Sequence, residues 1–124
     1  MLQIIFNEIS AAEISRLDTI EQLDLLTQFT VTPADLENFD SERFGKMERG
    51  GKTLYRYRSK DYRIYFEVTE DESVFVHRVL HANTFRDFLF RSQLPVSEDE
   101  DEALAKSKSF WKLIEEGQNA RRIP

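Results

Sequence analysis

The sequence predicts an α+β fold in which an N-terminal strand and a helical hairpin pack on an antiparallel β-meander, with an additional C-terminal helix. Three observations predict it. Apolar residues recur at helical spacing in the N-terminal third of the chain, β-branched and aromatic residues between short polar turns fill the middle, and an amphipathic segment follows Pro95. The change of hydrophobic period from about 3.6 to 2 marks the passage from helix to strand.

The length of 124 residues suits one domain with its own core. We divide it into a main unit, residues 1–95, and a C-terminal helical extension of the same domain, residues 96–124. Without cysteine, the chain has no disulfide, thiolate metal ligand or cysteine nucleophile. We find neither a basic leader segment nor an apolar run of the ~20 residues that a membrane helix needs. We therefore expect a cytoplasmic protein that does not bind membranes.

Helix signals dominate the N-terminal third, after a short strand expected over residues 2–6. Ser10 and Glu13 have the spacing of a capping box, and the apolar residues that follow favour an amphipathic helix with a break near Asp18. Thr32, followed by a proline, marks another helix start. The apolar residues predicted to face the core share steps of three; they are Ile14, Leu17, Ile20, Leu23 and Leu26.

The middle of the chain has the pattern of strands. Gly50-Gly51 is a hairpin turn signal between two strands, 44–49 and 52–58. Polar turns at residues 59–61 and 70–72 separate the aromatic and β-branched runs that follow, which are the residue types that strands prefer. The sequence therefore predicts an antiparallel meander here.

Two helices are expected after the meander. Asn83 or Thr84 is predicted to cap a short helix through Phe90, and Pro95 interrupts the chain. Ser97 is predicted to cap the last helix, whose first turn carries acidic residues that the helix dipole favours. Gly117 is placed to end it.

Charge is segregated along the chain, whose formal net charge is −6. Residues 43–63 hold eight basic side chains against two acidic ones, a local net charge of +6, which leaves −12 for the rest. We interpret the acidic run 98–102 as a solvated helix start. The basic segment we interpret as a site for an anionic partner, because a local patch of one sign attracts the other.

Strand alternation predicts where the arginines lie. The apolar side chains of the meander face the helices, so Arg63 lies on the opposite, open face, with Arg56 and Arg58 as neighbours across a tight hairpin. Three arginines on one face repel one another unless an anion lies between them. Guanidinium groups match phosphate geometry, whereas Glu48 and Glu67 are available for salt bridges. The sequence therefore leaves two interpretations of the three arginines, a phosphate-binding site and a structural lattice of salt bridges.

The two histidines, His77 and His81, are expected on the same face of one strand. About 13 Å of extended strand separates them, which is too far for one metal ion, so no metal site is predicted. We interpret His77 as a core or cross-strand residue. His81 lies at the strand end, at the rim of the open face, where an imidazole can move a proton. The alternative is a solvated turn histidine.

The run from Tyr55 to Val68 resembles the signature of the RelE/ParE toxin superfamily, in which a basic strand leads into an Asp-Tyr-Arg core, here residues 61–63. The strand over residues 74–81 and the short helix after it fit the same pattern. The resemblance extends from Met1 to about Arg91 and implies the fold stated above. The C-terminal segment is an addition to the minimal fold.

The resemblance implies the toxin component of a type II toxin–antitoxin system. RelE-like members repress translation as ribosome-dependent endoribonucleases: without metal or cofactor, a 2′-hydroxyl of the mRNA attacks the adjacent phosphate. By position, Arg63 matches the phosphate-stabilising arginine, Arg56 falls where a catalytic lysine often sits, and His81 where members carry a functional basic residue. These three are the predicted catalytic residues. The basic residues predicted to bind RNA phosphates are Lys52, Arg58, Lys60, Arg86 and Arg91.

The partners implied are a cognate antitoxin and the ribosome with its mRNA. We expect an acidic or amphipathic antitoxin segment on Arg56, Arg58 and Arg63, unless the acidic C-terminal helix screens that face from within the chain. Phe88 and Ala82 replace a tyrosine and an arginine of the nuclease pattern, which leaves two alternatives. ParE-like members keep the fold, lack the nuclease set and act on DNA gyrase, and a non-toxic protein-binding module is the other.

Overall fold

One mixed β-sheet with helices on both faces makes up the computed structural model, which describes residues 2–38, 42–84 and 100–123. The strands are β1 (Gln3–Phe6), β2 (Phe44–Arg49), β3 (Lys52–Ser59), β4 (Tyr62–Val68) and β5 (Ser73–His81). The helices whose full extent is described are α1 (Glu8–Ser15), α2 (Thr19–Gln28), α3 (Pro33–Glu37), α4 (Glu100–Ala105) and α5 (Lys108–Gln118). Residues 82–84, directly after β5, are also helical. None of these helices is long and apolar enough to cross a membrane.

The strands lie in the spatial order β1-β5-β4-β3-β2. β2 to β5 form the antiparallel meander that the sequence predicts, and β1 pairs in parallel with β5 at the edge. Gly50 and Gly51 make the β2–β3 turn with φ values of 59° and 78°, a conformation that glycine adopts without steric cost. The predicted α+β architecture is confirmed.

Each face of the sheet carries its own hydrophobic core. On the first face, helical residues such as Ile14 and Leu25 pack on side chains of the strands, including Tyr57 and Ile64. On the second face, α4 and α5 contribute to a core that consists of Met47, Leu54, Tyr65, Leu80, Leu104, Phe110 and Ile114. The expectation of an open second face was therefore wrong, because the C-terminal helices cover part of it.

α1 begins earlier than the sequence predicts, because its N-cap is Asn7 and not Ser10. The two residues form a reciprocal capping box: Ser10 N donates to Asn7 Oδ1 at 2.7 Å, and Asn7 N donates to Ser10 Oγ at 3.0 Å. The break near Asp18 is confirmed, since Asp18 caps α2. Thr32 caps α3 as predicted.

The apolar stripe of α2 is exposed, contrary to the prediction. The exposed fractions are 74% for Ile20, 60% for Leu23 and 40% for Leu26, whereas Leu25 and Phe29 are buried in the first core. Steps of three residues fall short of a 3.6-residue turn, so such a stripe winds around a helix by about 60° per step. The chain also restarts as a separate helix after the cap, which breaks the phase of the pattern.

The C-terminal segment contains two described helices where one was predicted. Ser107 caps the second of them, α5, and the Trp111 indole nitrogen donates to Ala105 O at 2.8 Å, so the two helices are joined at their shared turn. The helix start predicted at Ser97 lies outside the described residues. So does the course of the short helix to Phe90.

α5 approaches β5 closely at Gly117. A Cβ on this buried glycine would overlap the carbonyl oxygen of His77, and the Asn7 side-chain amide donates to His77 O at 3.1 Å and to Gly117 O at 2.6 Å. Gly117 was predicted to end the helix. Instead the helix continues to Gln118 with Asn119 as its C-cap, and the glycine permits the close approach.

Replacing Gly117 by alanine tests this contact. We expect Gly117→Ala to lower the free energy of unfolding by about 1–3 kcal/mol, as overpacking does. Helix propensity alone predicts the opposite sign, a gain of about 1 kcal/mol. Urea unfolding followed by far-UV circular dichroism measures the change. Ser109→Ala, at an exposed position of the same helix, is the control and should change stability by less than about 0.5 kcal/mol. A more stable Gly117→Ala protein would contradict the close approach.

Candidate functional site

The three arginines of the basic segment lie on the second face of the sheet. The β3–β4 register pairs Arg58 with Arg63, and Arg56 lies two positions before Arg58 on the same strand. Tyr57 and Ile64, their neighbours in sequence, are buried in the first core. Because side chains alternate along a strand, the predicted placement of all three arginines on one face is confirmed.

Arg56 is held by a carboxylate from the C-terminal segment. Its Nε lies 3.1 Å from both carboxylate oxygens of Asp101, and its Nη2 lies 2.9 Å from Asp101 Oδ2. Its Nη1 donates to Arg43 O at 3.3 Å, and only 3% of Arg56 is exposed. A Cβ on Gly45 would overlap both partners of the pair. The guanidinium edge predicted to hold a phosphate therefore holds Asp101.

Arg63 turns back onto the β3–β4 turn. Its Nη1 donates to Lys60 O at 2.9 Å and to Tyr62 O at 3.0 Å, and 8% of the residue is exposed. Lys60 has a φ of 53°, a left-handed conformation that costs a non-glycine residue roughly 1–2 kcal/mol. The Arg63 guanidinium thus stabilises a strained turn.

A β-bulge in β5 separates the two histidines. Val76 and Arg78 pair with consecutive residues of β4, so His77 is the extra residue between them. One extra residue reverses the alternation of side chains beyond it. His77 and His81 consequently lie on opposite faces, and the prediction that they share a face was wrong.

His81 lies on the first face with Tyr62. The two rings meet edge to face with centroids 5.0 Å apart, and the Tyr62 hydroxyl donates to Glu21 Oε2 of α2 at 3.0 Å. Asn83 N donates to His81 Nδ1 at 3.0 Å. The structure therefore brings Arg56 and Arg63 to one face and places His81 on the other.

The bulge also positions Arg78, a residue that the sequence analysis did not single out. Its Nε and Nη2 bind the Glu13 carboxylate at 2.9–3.2 Å, its Nη1 donates to Leu113 O at 3.2 Å, and Glu116 lies 3.6 Å away. Glu13, predicted to pair with Ser10 in a capping box, instead joins α1 to β5 and α5. No local pattern in the sequence predicts the bulge that brings Arg78 to Glu13 and α5.

His77 lies at the inner wall of a cleft between the second face and α5. It is 2% exposed, its Nε2 lies 3.7 Å from Glu67 Oε1, and its Nδ1 has no hydrogen-bond partner in the described part of the chain. Burial, assisted by the positive charges of Arg122 and Lys52, lowers the pKa of His77 to about 4. His77 is therefore neutral at physiological pH.

The remaining predicted phosphate-binding residues are dispersed. Lys52 is exposed and lines the cleft, whereas the exposed Lys60 lies 3.6 Å from the Asp24 carboxylate. Arg58 is half-buried on the second face. The residues predicted to complete the set, together with the position of the missing tyrosine, lie outside the described ranges; they are Arg86, Arg91 and Phe88.

Comparison with known proteins separates the sheet and its N-terminal helices from the C-terminal helices. A family model described as "ParE toxin of type II toxin-antitoxin system, parDE" matches residues 12–84, which is more than half of the chain. The matched stretch runs from within α1 to just beyond β5, and α4 and α5, including Asp101, lie after it. A search among curated proteins finds none that matches the chain.

Removing Asp101 tests the buried ion pair. We expect Asp101→Ala to lower the free energy of unfolding by about 3 kcal/mol, because it leaves the buried Arg56 guanidinium uncompensated. The double variant Arg56→Leu/Asp101→Leu should lose less than the single one, since it removes both charges. Urea unfolding measures each protein. Glu102→Ala, next to Asp101 but exposed, with its carboxylate 3.6 Å from the exposed Lys106 amine, is the control and should cost less than about 0.5 kcal/mol. Equal losses for Asp101→Ala and Glu102→Ala would refute a buried pair.

His77 predicts a pH dependence of stability. Its folded pKa of about 4 lies below the ordinary 6.5, so the unfolded chain binds the proton more readily. The stability that the neutral His77 imidazole contributes is fully present above about pH 6.5 and is lost as the pH falls toward 4. At pH 5 we expect the free energy of unfolding to be lower by about 2 kcal/mol. Urea unfolding at about pH 7.5 and about pH 5 measures this, and His77→Gln should abolish most of the difference. His81→Gln is the matched control and should retain it. An unchanged pH dependence in His77→Gln would contradict the assignment.

Proposed function

We propose that this chain, which belongs to the ParE toxin family of type II toxin–antitoxin systems, acts by binding its target and does not cleave RNA. The proposed target is DNA gyrase, on which ParE-like proteins act, and the proposed place of action is the cytoplasm. The observation that carries this proposal is the closure of Arg56 by Asp101, with contacts of 2.9–3.1 Å. The Asp101 carboxylate thus occupies the guanidinium of Arg56, at the position where the nuclease pattern needs a group that contacts RNA.

The geometry around Arg56 disfavours a phosphate ligand. Asp101 engages the Nε–Nη2 edge of the guanidinium, which is the edge that binds a phosphate in a bidentate manner. A phosphate binds there only after Asp101 leaves, and breaking a buried ion pair costs about 3–5 kcal/mol. Arg63 likewise directs its Nη1 at two backbone carbonyls.

Proton transfer argues in the same direction. Cleavage by a 2′-hydroxyl requires a group that accepts a proton, and arginine stays protonated at any physiological pH. Arg56 and Arg63 are thus unsuited to that role, and His81 lies on the other face of the sheet, against Tyr62. Of the three predicted catalytic residues, Arg56 and Arg63 therefore supply charge on the second face, and His81 does not lie beside them as a base.

A ribosome-dependent endoribonuclease is the second candidate. The specific observation in its favour is the direct pairing of Arg58 with Arg63 across β3 and β4, which concentrates positive charge beside Arg56. In this alternative, displacement of α4 would release Arg56 from Asp101 and make it available to RNA, with Lys52 and Lys60 as further phosphate contacts.

The family implies a cognate antitoxin. We place its acidic or amphipathic segment on the basic second face that carries Arg58 and Arg63, because a segment of opposite charge is attracted to such a face.

Two assays on the purified chain separate the candidates. With gyrase and relaxed plasmid, we expect inhibition of supercoiling that persists in Arg63→Ala, because Arg63 serves the turn and not catalysis in this proposal. With ribosomes that hold a defined mRNA, primer extension should find the transcript intact beside an active control nuclease. His81→Gln is the matched variant for the proton-transfer role and should also leave gyrase inhibition unchanged.

Two other outcomes would refute the proposal. Cuts within the codon in the ribosomal A site that vanish in Arg63→Ala would establish the nuclease and refute the proposal. Inactivity in both assays, together with unimpaired growth of cells that express the chain without its antitoxin, would refute both mechanisms in favour of a non-toxic binding module.

A further inference from the structure

The cleft between the second face and α5 is separate from the arginines discussed above. Its volume is about 680 Å³, and neither Arg56 nor Asp101 lines it. The apolar side chains of Leu54 and Ile114 lie in its wall and are themselves buried in the second core. Pockets for small molecules measure roughly 300–1,000 Å³ and combine apolar walls with a few polar groups. The cleft has the size of such a pocket.

Positive charge is concentrated at the mouth of this cleft. The four exposed cations that line it are Arg49, Lys52, Lys108 and Lys112. No ion pair joins any of them to another residue within the described ranges, whereas Arg56 and Arg78 are both paired. Two carboxylates, Glu67 and Glu115, also line the cleft, which leaves a surplus of two positive charges in a chain of net charge −6. Such a concavity attracts anions.

An aromatic wall adds a second kind of recognition. Trp111 is half-buried in the cleft, and its ring nitrogen already donates to Ala105 O, so the indole offers its apolar surface to a ligand. The Arg49 guanidinium lies 5.8 Å from the ring centroid. The buried His77 contributes an imidazole whose Nδ1 has no hydrogen-bond partner among the described residues. A flat ring with polar edges suits these walls.

We propose that this cleft binds a phosphorylated nucleotide, with its phosphates at Lys108, Lys112 and Arg49 and its base against Trp111 and the apolar wall. An inorganic anion satisfies the cations but leaves the apolar wall in water, and an acidic peptide segment brings charge without a flat apolar body. The ligand chemistry is the same for a free nucleotide and for the phosphorylated end of a nucleic-acid strand. This site is distinct from the surface proposed for the antitoxin and does not depend on how the toxin acts.

Trp111 is the only tryptophan in the chain, so its fluorescence reports on the cleft directly. The probes are ATP, GTP, inorganic pyrophosphate and a 5′-phosphorylated trinucleotide. We expect saturable fluorescence changes with the nucleotides at Kd values of about 10–500 μM, weakening as salt is added. Lys108→Ala/Lys112→Ala should bind at least about tenfold more weakly, because charge-assisted hydrogen bonds are lost. Lys106→Ala, which removes a lysine that does not line the cleft, should bind within about twofold of the original chain.

Every outcome bears on the proposal. Tighter binding of ATP or GTP than of the trinucleotide supports a free nucleotide, and the reverse order supports the end of a strand. Pyrophosphate that binds as tightly as ATP would overturn recognition of the base. A flat titration with all four probes, or equal affinity in the double variant and in Lys106→Ala, would overturn the site itself. Far-UV circular dichroism confirms that the variants, which change only exposed side chains, are folded.

Discussion

The side-chain amide of Asn7 is the interaction on which most of the architecture depends. This fully buried residue caps α1 through Ser10 N and donates to the carbonyls of His77 and Gly117. The His77 carbonyl belongs to the bulge of β5. The Gly117 carbonyl belongs to the last turn of α5 and also accepts from Ala120 N at 3.2 Å. A buried carbonyl left unsatisfied costs about 1–3 kcal/mol. One amide thus ties the first helix, β5 and the C-terminal helix together.

The bulge beside this amide determines which side chains of β5 lie on each face of the sheet. By inserting His77, it places His77 in the cleft and returns Val79 to the first core. It also lets Arg78 reach Glu13 on α1 while it contacts α5. Both helical layers are therefore held to β5 at the same point, beside the cleft that lies between the sheet and α5.

The C-terminal helices change what the fold can do. The stretch that matches the ParE toxin family ends at residue 84, whereas the carboxylate that closes Arg56 comes from α4. The basic strand and the acidic C-terminal segment, opposite in charge along the chain, thus meet in space. Their pairing removes one arginine from the surface, and α5 surrounds another part of the second face with the cations of the cleft. The same segment that buries Arg56 also forms one wall of the cleft that we propose as a nucleotide site.

From the sequence alone we could predict the strands, the Gly50-Gly51 turn, the helix break near Asp18, the cap at Thr32 and the common face of the three arginines. These features follow from φ preferences, side-chain hydrogen bonds to nearby amides and the period of a strand, all of which act over a few residues. The bulge, the exposure of the α2 stripe and the partner of Arg56, in contrast, depend on tertiary packing. Asp101 lies 45 positions from Arg56, and no local pattern encodes a contact that arises when two distant segments pack on one sheet.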